Sequence, residues 1–304
     1  MKKLRVVLGA LVAMLLTTYL VFFATSPSPG DGYTIDLEGL RGTAGTDELP
    51  TDVRVLHVAD GSMPAFAAVA GAGPSSLNAV YASFQIVTPD AGFVIVDTAY
   101  DRAGFDAMGA GAVTTFHDDA WATLDKAMAT AAAIVVTHEH PDHLGGAARS
   151  KNPEVRKTGR LLVTQAQIDF GVKEPMTGLS AEAVKDLTPI TYDRLYRVVP
   201  GVALQRAPGH SPGSQLIYVK RADGKELLFV GDVAWNERSL DEGRMRPLLL
   251  SLFLGEDRRQ VIDQIGALQK LRKEHPEVQL VVAHDGDALA RLVGTGAVKE
   301  GFVD

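Results

Sequence analysis

Residues Thr137 to Gly146 read THEHPDHLGG and contain the pattern H-x-H-x-D-H, formed by His138, His140, Asp142 and His143. This pattern rarely arises by chance in a chain with 8 histidines, so it indicates a metal site. In a turn after a strand, His138 and His140 can point to one side and bind one metal ion. Asp142 and His143, at the start of the next helix, can bind a second ion. Imidazole combined with carboxylate suits zinc, with iron or manganese as alternatives.

Further candidate ligands follow other apolar runs of the chain. They are His210 in APGHSPGS, Asp232 in FVGD and His284 in VVAHD. Open α/β sheets place their ligands at the carboxyl ends of strands, so we expect these side chains to lie near the first motif. Together they supply the ligands that the H-x-H-x-D-H block lacks for two metal ions.

The rest of the chain alternates predicted strands and helices. Alternating or continuous apolar residues predict strands at Val53–Val58, Ala79–Val87, Phe93–Asp97, Ala133–Val136, Leu161–Thr164, Glu226–Val230 and Val278–Ala283. Helical spacing covers Trp121–Ala131 and a segment that starts near Asp257. The sequence therefore predicts an α/β fold in which helices cover sheet layers.

These motifs, in this order, resemble the metallo-β-lactamase superfamily over about residues 53–293. The resemblance implies a four-layer αβ/βα sandwich, with a hydrolase domain over residues 53–304. It also implies two zinc ions per chain and a role for each motif residue. The first ion would be bound by His138, His140 and His210, the second by Asp142, His143 and His284, with Asp232 bridging both and Asp97 of VIVDTA orienting the metal loop without being a ligand.

The same resemblance implies a hydrolytic mechanism. A hydroxide shared by two metal ions would attack an electrophilic carbonyl or phosphoryl centre, and one ion would stabilise the developing oxyanion. Asp142 would carry a proton to the leaving group.

Two segments resemble the N-acyl-homoserine lactone lactonases within this superfamily: Val198–Gln215, and Asp232-Val-Ala-Trp235 with the residues after it. Those lactonases carry a tyrosine where this chain has Trp235, and we expect Trp235 to contact the substrate through its indole N–H. A bridging Asp232 also counts against β-lactam hydrolysis as the main activity. The predicted function is hydrolysis of a lactone or another carboxylic ester. Phosphodiester, thioester or β-lactam hydrolysis, and a non-catalytic metal-binding role, stay open.

The N-terminus carries a targeting signal. Residues Val6–Ala24 are 19 uncharged residues preceded by Lys2, Lys3 and Arg5, and as a helix they would span about 28 Å, close to the hydrocarbon thickness of a bilayer. Residues 1–30 are therefore predicted to be a membrane anchor or a signal peptide, with the rest extracytoplasmic: periplasmic or in the cell envelope if anchored, secreted if cleaved. Residues 31–52 are predicted to be a linker.

Composition excludes several functions. The chain has no cysteine, which excludes disulfides and thiolate ligands, and its net charge is −7. Without the three basic residues near the N-terminus, the rest of the chain has a still more negative net charge. No nucleic-acid partner is therefore expected. The expected partners are a small-molecule substrate and the membrane, and an oligomer is possible.

The run LLLSLFL at Leu248–Leu254 fits an acyl pocket, the core or an oligomer contact.

Overall fold

The computed structural model describes residues 2–90, 92–108, 113–157, 159–185 and 187–303. The strands are β1 (Asp52–Pro64), β2 (Ser76–Val87), β3 (Phe93–Val96), β4 (Val113–Phe116), β5 (Ala133–Val135), β6 (Leu161–Leu162), β7 (Leu195–Val199), β8 (Val202–Arg206), β9 (Gln215–Lys220), β10 (Glu226–Gly231), β11 (Val278–Val282) and β12 (Lys299–Glu300). The α-helices are α1 (Lys2–Tyr19), α2 (Leu37–Ala44), α3 (Ala65–Ala68), α4 (Arg102–Met108), α5 (Asp118–Thr130), α6 (Pro141–Arg149), α7 (Gln165–Lys173), α8 (Ala181–Val184), α9 (Glu237–Glu242), α10 (Leu248–Leu254), α11 (Arg258–Glu274) and α12 (Gly286–Gly294). A π-helical turn, Leu20–Ala24, continues α1, and a 3₁₀ turn spans Pro153–Arg156.

Within the described residues the strands form two sheets. The first has the order β12-β1-β2-β3-β5-β6, with β4 paired to β1, and the second has the order β11-β10-β9-β8-β7. Strands β3 and β5 run parallel, as do β10 and β11. Their carboxyl ends therefore lie at a common edge within each sheet, where the predicted ligand loops begin.

The two-residue period of the buried strands divides the core into layers. In β3, Phe93 and Ile95 pack with helices on the outer face of the first sheet, whereas Val94 and Val96 face the second sheet. In β10, Leu227 and Phe229 face the first sheet, and the alternate residues pack outward with α9 and α11. This sequence of helices, sheet, sheet and helices confirms the predicted mixed α/β fold with two sheets.

The segment predicted to be a linker is partly helical and buried, so that interpretation of residues 31–52 is wrong. Helix α2 places Leu37, Leu40 and Ala44 in the core against the second sheet. Asp36 caps the helix by accepting a hydrogen bond from the Gly39 N–H at 3.0 Å. The i, i+3, i+7 spacing of the three apolar residues was a helix signal that the short length of the segment obscured.

The run Leu248–Leu254 is a helix, α10, but it does not belong to the core. Ser251 is its buried residue, while Leu252 and Phe253 are 62% and 84% exposed. The interpretation of this run as core is therefore wrong.

The N-terminal helix is exposed over residues 7–21, and residues 22–24 are partly buried. Residues Val7–Ala24 form a segment long and apolar enough to cross a membrane, with a mean hydropathy of 2.3 and none of its residues fully buried. These properties establish a candidate span by length and composition.

Candidate metal centre

Four loops that follow strands of the two sheets carry the predicted site. The chain leaves β5 into Thr137–His143, β8 toward His210, β10 into Asp232 and β11 into His284. Strand β8 is antiparallel to β9, which is antiparallel to β10, so β8 and β10 end at the same edge. The fold thereby brings all seven predicted ligands together in two adjacent groups.

The first group consists of His138, His140, His210 and Asp232. Their candidate ligand atoms all lie within 4.8 Å of one another. His140 Nδ1 is 3.0 Å from His138 Nε2 and 2.9 Å from His210 Nε2. A tetrahedral zinc ion with bonds of about 2.0 Å separates its nitrogen ligands by about 3.3 Å, so these three nitrogens are close to the required spacing.

The second group consists of Asp142, His143 and His284. Asp142 Oδ2 lies 3.3 Å from His284 Nε2 and 3.7 Å from His143 Nε2. Helix α6 begins at Pro141, which places Asp142 and His143 in its first turn. The side chain of Asp142 is 16% exposed, so this group reaches solvent.

Asp232 lies between the groups and directs one oxygen to each. Its Oδ2 is 3.2 Å from His210 Nε2 and 3.7 Å from His138 Nε2. Its Oδ1 is 3.3 Å from His143 Nε2 and 3.2 Å from His284 Nε2. This is the arrangement that a carboxylate bridging two cations requires.

Three of the histidines are oriented by hydrogen bonds at Nδ1. His143 Nδ1 donates to Asp97 Oδ2 at 2.9 Å, and His284 Nδ1 donates to the Val80 carbonyl at 2.9 Å. His210 Nδ1 donates to Glu256 Oε1 at 2.6 Å. In each ring the Nε2 atom is left facing the centre of the site.

Asp97 fixes the loop Thr137–His143, called the metal loop below, and it also orients the ring of His143. It follows β3 in a left-handed backbone conformation (φ 55°), which is strained for a non-glycine residue. Its Oδ1 accepts a hydrogen bond from the Thr137 N–H at 2.6 Å. The carboxylate therefore fixes both the start of the loop and the ring of His143.

Glu256 and Arg246 form a buried ion pair behind His210 that sequence reasoning missed. Both side chains are almost fully buried, and Arg246 Nη2 donates to the Glu256 Oε1 that also accepts from His210. Although burial disfavours the carboxylate, the charge of Arg246 and the His210 hydrogen bond lower the pKa of Glu256 to about 2. No local pattern marks either residue, because their partners lie 10 to 46 positions away in the chain.

Trp235 contacts Asp232 instead of leaving its N–H free for a substrate. Its Nε1 donates to Asp232 Oδ2 at 2.6 Å, and its ring packs edge-on against His284 at 6.0 Å between centroids. The guanidinium of Arg246 lies 4.7 Å from the ring centroid. In this structure the indole supports the carboxylate of Asp232.

Two glycines allow the close packing around the site. Gly231 has φ 51°, and a Cβ there would lie 2.7 Å from Thr137 Cβ, so only glycine lets β10 approach the metal loop. A Cβ on Gly146 of α6 would lie 2.1 Å from the Thr98 carbonyl oxygen. The first contact brings the second sheet close to the loop after β5, and the second packs α6 against the loop after β3 within the half that contains the first sheet.

Three further polar residues, Glu139, His117 and His275, have structural partners. Glu139 is buried and its Oε1 accepts from the Gly213 N–H at 3.0 Å, which ties the metal loop to the loop carrying His210. His117 lies 2.7 Å from Asp60, and His275 lies 3.1 Å from Glu277. Neither histidine belongs to the two groups.

The five histidines have different pKa values in the protein without metal. Although burial opposes it, Asp232 and the hydrogen bond to Glu256 raise the pKa of His210. Burial lowers the pKa of His138 well below its usual value, and burial with the nearby His210 lowers that of His140 to about 3. Burial also opposes protonation of His284, but Asp232 and Asp142 outweigh it and raise the pKa of His284 to about 9. His143 has its pKa raised by Asp97 and Asp142 in the same way, against the effect of burial.

The residues present fit a metal pair. His143 Nε2 and Asp232 Oδ1 are buried and have no hydrogen-bond partner. Buried polar atoms left unpaired are costly, and a cation between them would satisfy both. The donor set of imidazole nitrogens and carboxylate oxygens suits zinc, iron or manganese.

No family model matches the chain, and no curated protein matches it. Solved structures do match. An N-acyl homoserine lactone hydrolase, with the product N-hexanoyl-L-homoserine bound at its catalytic metal centre, has a TM-score of 0.63 at 16% identity, over 80% of this chain and 96% of that one. A hydrolase of the beta lactamase superfamily, AbOPH, has a TM-score of 0.53 at 12% identity, over 78% and 87%.

The chain has the metallo-β-lactamase fold. The dizinc quorum-quenching lactonase AidC, in complex with a homoserine product, also shares it, with a TM-score of 0.54 at 14% identity over 78% of this chain and 92% of that one. At such identities the similarity establishes the fold alone, and the activities named belong to those proteins. The predicted resemblance to the metallo-β-lactamase superfamily is thus confirmed at the level of the fold.

Proposed function

We propose that this protein is a metal-dependent hydrolase that acts on a lactone or another carboxylic ester with a pair of zinc ions. The position of Asp232, with one oxygen toward each ligand group, carries this proposal. The N-acyl homoserines bound in three of the matching structures support the substrate class.

Two divalent cations at this site would lower the pKa of a water molecule toward neutrality and stabilise negative charge on the substrate carbonyl oxygen. The residues of the chain supply the remaining functions. Five histidines and two aspartates would hold the cations, and Asp232 would contact both of them. Asp142, whose Oδ2 lies 3.3 Å from His284 Nε2 and whose side chain is 16% exposed, would move a proton at that oxygen to the leaving group.

The test is hydrolysis by the full chain in detergent, loaded with zinc. The panel consists of N-acyl homoserine lactones, aryl esters, phosphodiesters, thioesters and a chromogenic β-lactam. The lactone or carboxylic ester should be the substrate hydrolysed with the highest kcat/KM, and His140→Ala should abolish that activity. His275→Ala is the matched control, because this histidine pairs with Glu277 before β11, at the end of that strand opposite His284. Activity confined to phosphodiesters or the β-lactam would overturn the substrate class.

We also propose that the N-terminal helix anchors the protein in a membrane with the remaining chain outside the cytoplasm. The exposed apolar segment Val7–Ala24 and the basic residues before it support this. Extraction of cell membranes at alkaline pH should leave the protein in the membrane pellet. Release into the soluble fraction, with an N-terminus beyond residue 24, would show a cleaved signal peptide instead.

A further inference from the structure

The end of the N-terminal helix is fixed to the rest of the chain. Two separate segments, the one after α3 and the one after α9, bond to it. The hydrogen bonds run from Gly71 N to Phe23 O (2.9 Å), from Met245 N to Ser26 Oγ (3.1 Å) and from Arg244 Nη2 to Ala24 O. These hydrogen bonds fix the position at which the helix leaves the folded chain, so no flexible linker separates the two.

Helix α10 is the neighbour of this junction. A groove of about 460 Å³ lies between them and is lined by Phe23, Phe66, Ala67, Pro247, Leu249, Leu250 and Phe253. The outer side of α10 is apolar and exposed, with Leu249 at 49% and Phe253 at 84%. Leu252 of the same helix is 62% exposed. Outside α10, the strongly exposed large apolar side chains among the described residues after Ala24 are Met108, Val172 and Val303, each 41% exposed and each far from α10 in sequence.

The length of the N-terminal helix identifies what lies against this surface. Its 18-residue apolar segment spans about 27 Å, close to the hydrocarbon thickness of a bilayer, and ends at Ala24. If that segment crosses the bilayer, Ala24 lies at the hydrocarbon boundary. Because the junction is rigid, the apolar side of α10 lies at the same level. Arg244 and Arg258, which bond to Ala24 and Thr25, then lie at the depth of the lipid phosphates, which guanidinium groups bind well.

We propose that α10 is a second membrane-contact element, which inserts Leu249, Leu252 and Phe253 into the interface of the bilayer that the N-terminal helix crosses. The partner is thus a phospholipid surface. This inference rests on the proposed membrane anchor. Contact of α10 with the bilayer would also bring the metal centre close to the membrane. Arg246 directly precedes Pro247, the N-cap of α10, and its Nη2 lies 3.2 Å from Nδ1 of the candidate ligand His210.

The absence of cysteine makes a labelling test direct. Single variants of the full chain, reconstituted in phosphatidylcholine–phosphatidylglycerol vesicles, receive an environment-sensitive fluorophore. Phe253→Cys probes α10, and Leu249→Cys is a second position on the same helix. Met14→Cys probes the N-terminal helix. Ala222→Cys is the aqueous control, since it lies in the turn between β9 and β10, at the end of those strands that is opposite the metal centre.

The labels at positions 14, 249 and 253 should be quenched several-fold more by spin-labelled lipid than by aqueous iodide, and the label at 222 should show the reverse. Lipid quenching at 14 with iodide quenching at 249 and 253 would overturn the role of α10 and leave the anchor intact. Iodide quenching at all positions would overturn both proposals. Protection at 253 without lipid quenching, together with disulfide cross-linking between two copies of Phe253→Cys, would assign the surface to a second copy of this chain and also overturn it.

Discussion

Glu256 Oε1 accepts a hydrogen bond from His210 Nδ1 at 2.6 Å, and this bond turns His210 Nε2 toward Asp232. A buried carboxylate behind a histidine fixes the ring tautomer and strengthens the imidazole as a ligand. The distance in sequence between the two residues explains why the metal motif alone does not reveal this support.

Glu256→Gln should therefore lower zinc affinity by about 10- to 100-fold, because an amide holds the imidazole less firmly. It should also destabilise the protein by about 3–5 kcal/mol, since Arg246 loses its buried partner. The double variant Glu256→Gln/Arg246→Met removes the unpaired charge, so it should recover stability without recovering zinc affinity. Competition with a chromophoric chelator and thermal unfolding measure the two effects. Glu242→Gln, on the surface, is the control, and equal zinc affinity in all variants would refute the role of Glu256.

Asp142→Asn should lower turnover more than it lowers zinc occupancy of the group that contains His138. Asp142 has two proposed functions, as ligand and as proton carrier, and an amide performs neither well. Steady-state kinetics together with zinc stoichiometry test this. A variant with full turnover would exclude Asp142 from the proton transfer.

Trp235→Phe keeps an aromatic ring beside His284 but removes the N–H that donates to Asp232. A hydrogen bond to a charged group contributes about 1.5–3 kcal/mol, so zinc affinity should fall by about one to two orders of magnitude. Trp235→Tyr distinguishes the alternative: a rise in lactone hydrolysis at unchanged zinc affinity would indicate that the side chain at this position acts on the substrate. Equal zinc affinity and activity in the parent protein, Trp235→Phe and Trp235→Tyr would show that Trp235 contributes only packing.

The raised pKa of His284, about 9, makes the metal-free protein sensitive to alkali. The folded-state pKa lies above the unfolded value of about 6.5, so the protonated ring stabilises the fold below pH ~6.5. That stabilisation is lost as pH rises from there to about 9. The unfolding free energy of the metal-free protein should therefore decrease between pH 7 and 9.5, whereas His284→Gln should show a shallower decrease. Urea unfolding of chelator-treated samples at several pH values measures this free energy. The same decrease with pH in the parent protein and in His284→Gln would contradict the raised pKa of His284.

The sequence predicted the candidate metal ligands but not the residues that hold these ligands in position. His138, His140, Asp142 and His143 share one short motif, and His210, Asp232 and His284 follow other strands, so local patterns sufficed to bring them together. Arg246 and Glu256 belong to no motif, because their contacts depend on how α10 and α11 return to the sheet. Similarly, α2 is short, and its burial depends on contacts with the distant second sheet.

The paired metal centre itself is tested most directly by anomalous diffraction at the zinc edge from crystals of the zinc-loaded protein. Two peaks should appear about 3.5–4 Å apart, one among His138, His140 and His210 and the other among Asp142, His143 and His284, with Asp232 between them. A single peak, or two peaks without Asp232 between them, would contradict the proposed bridged pair.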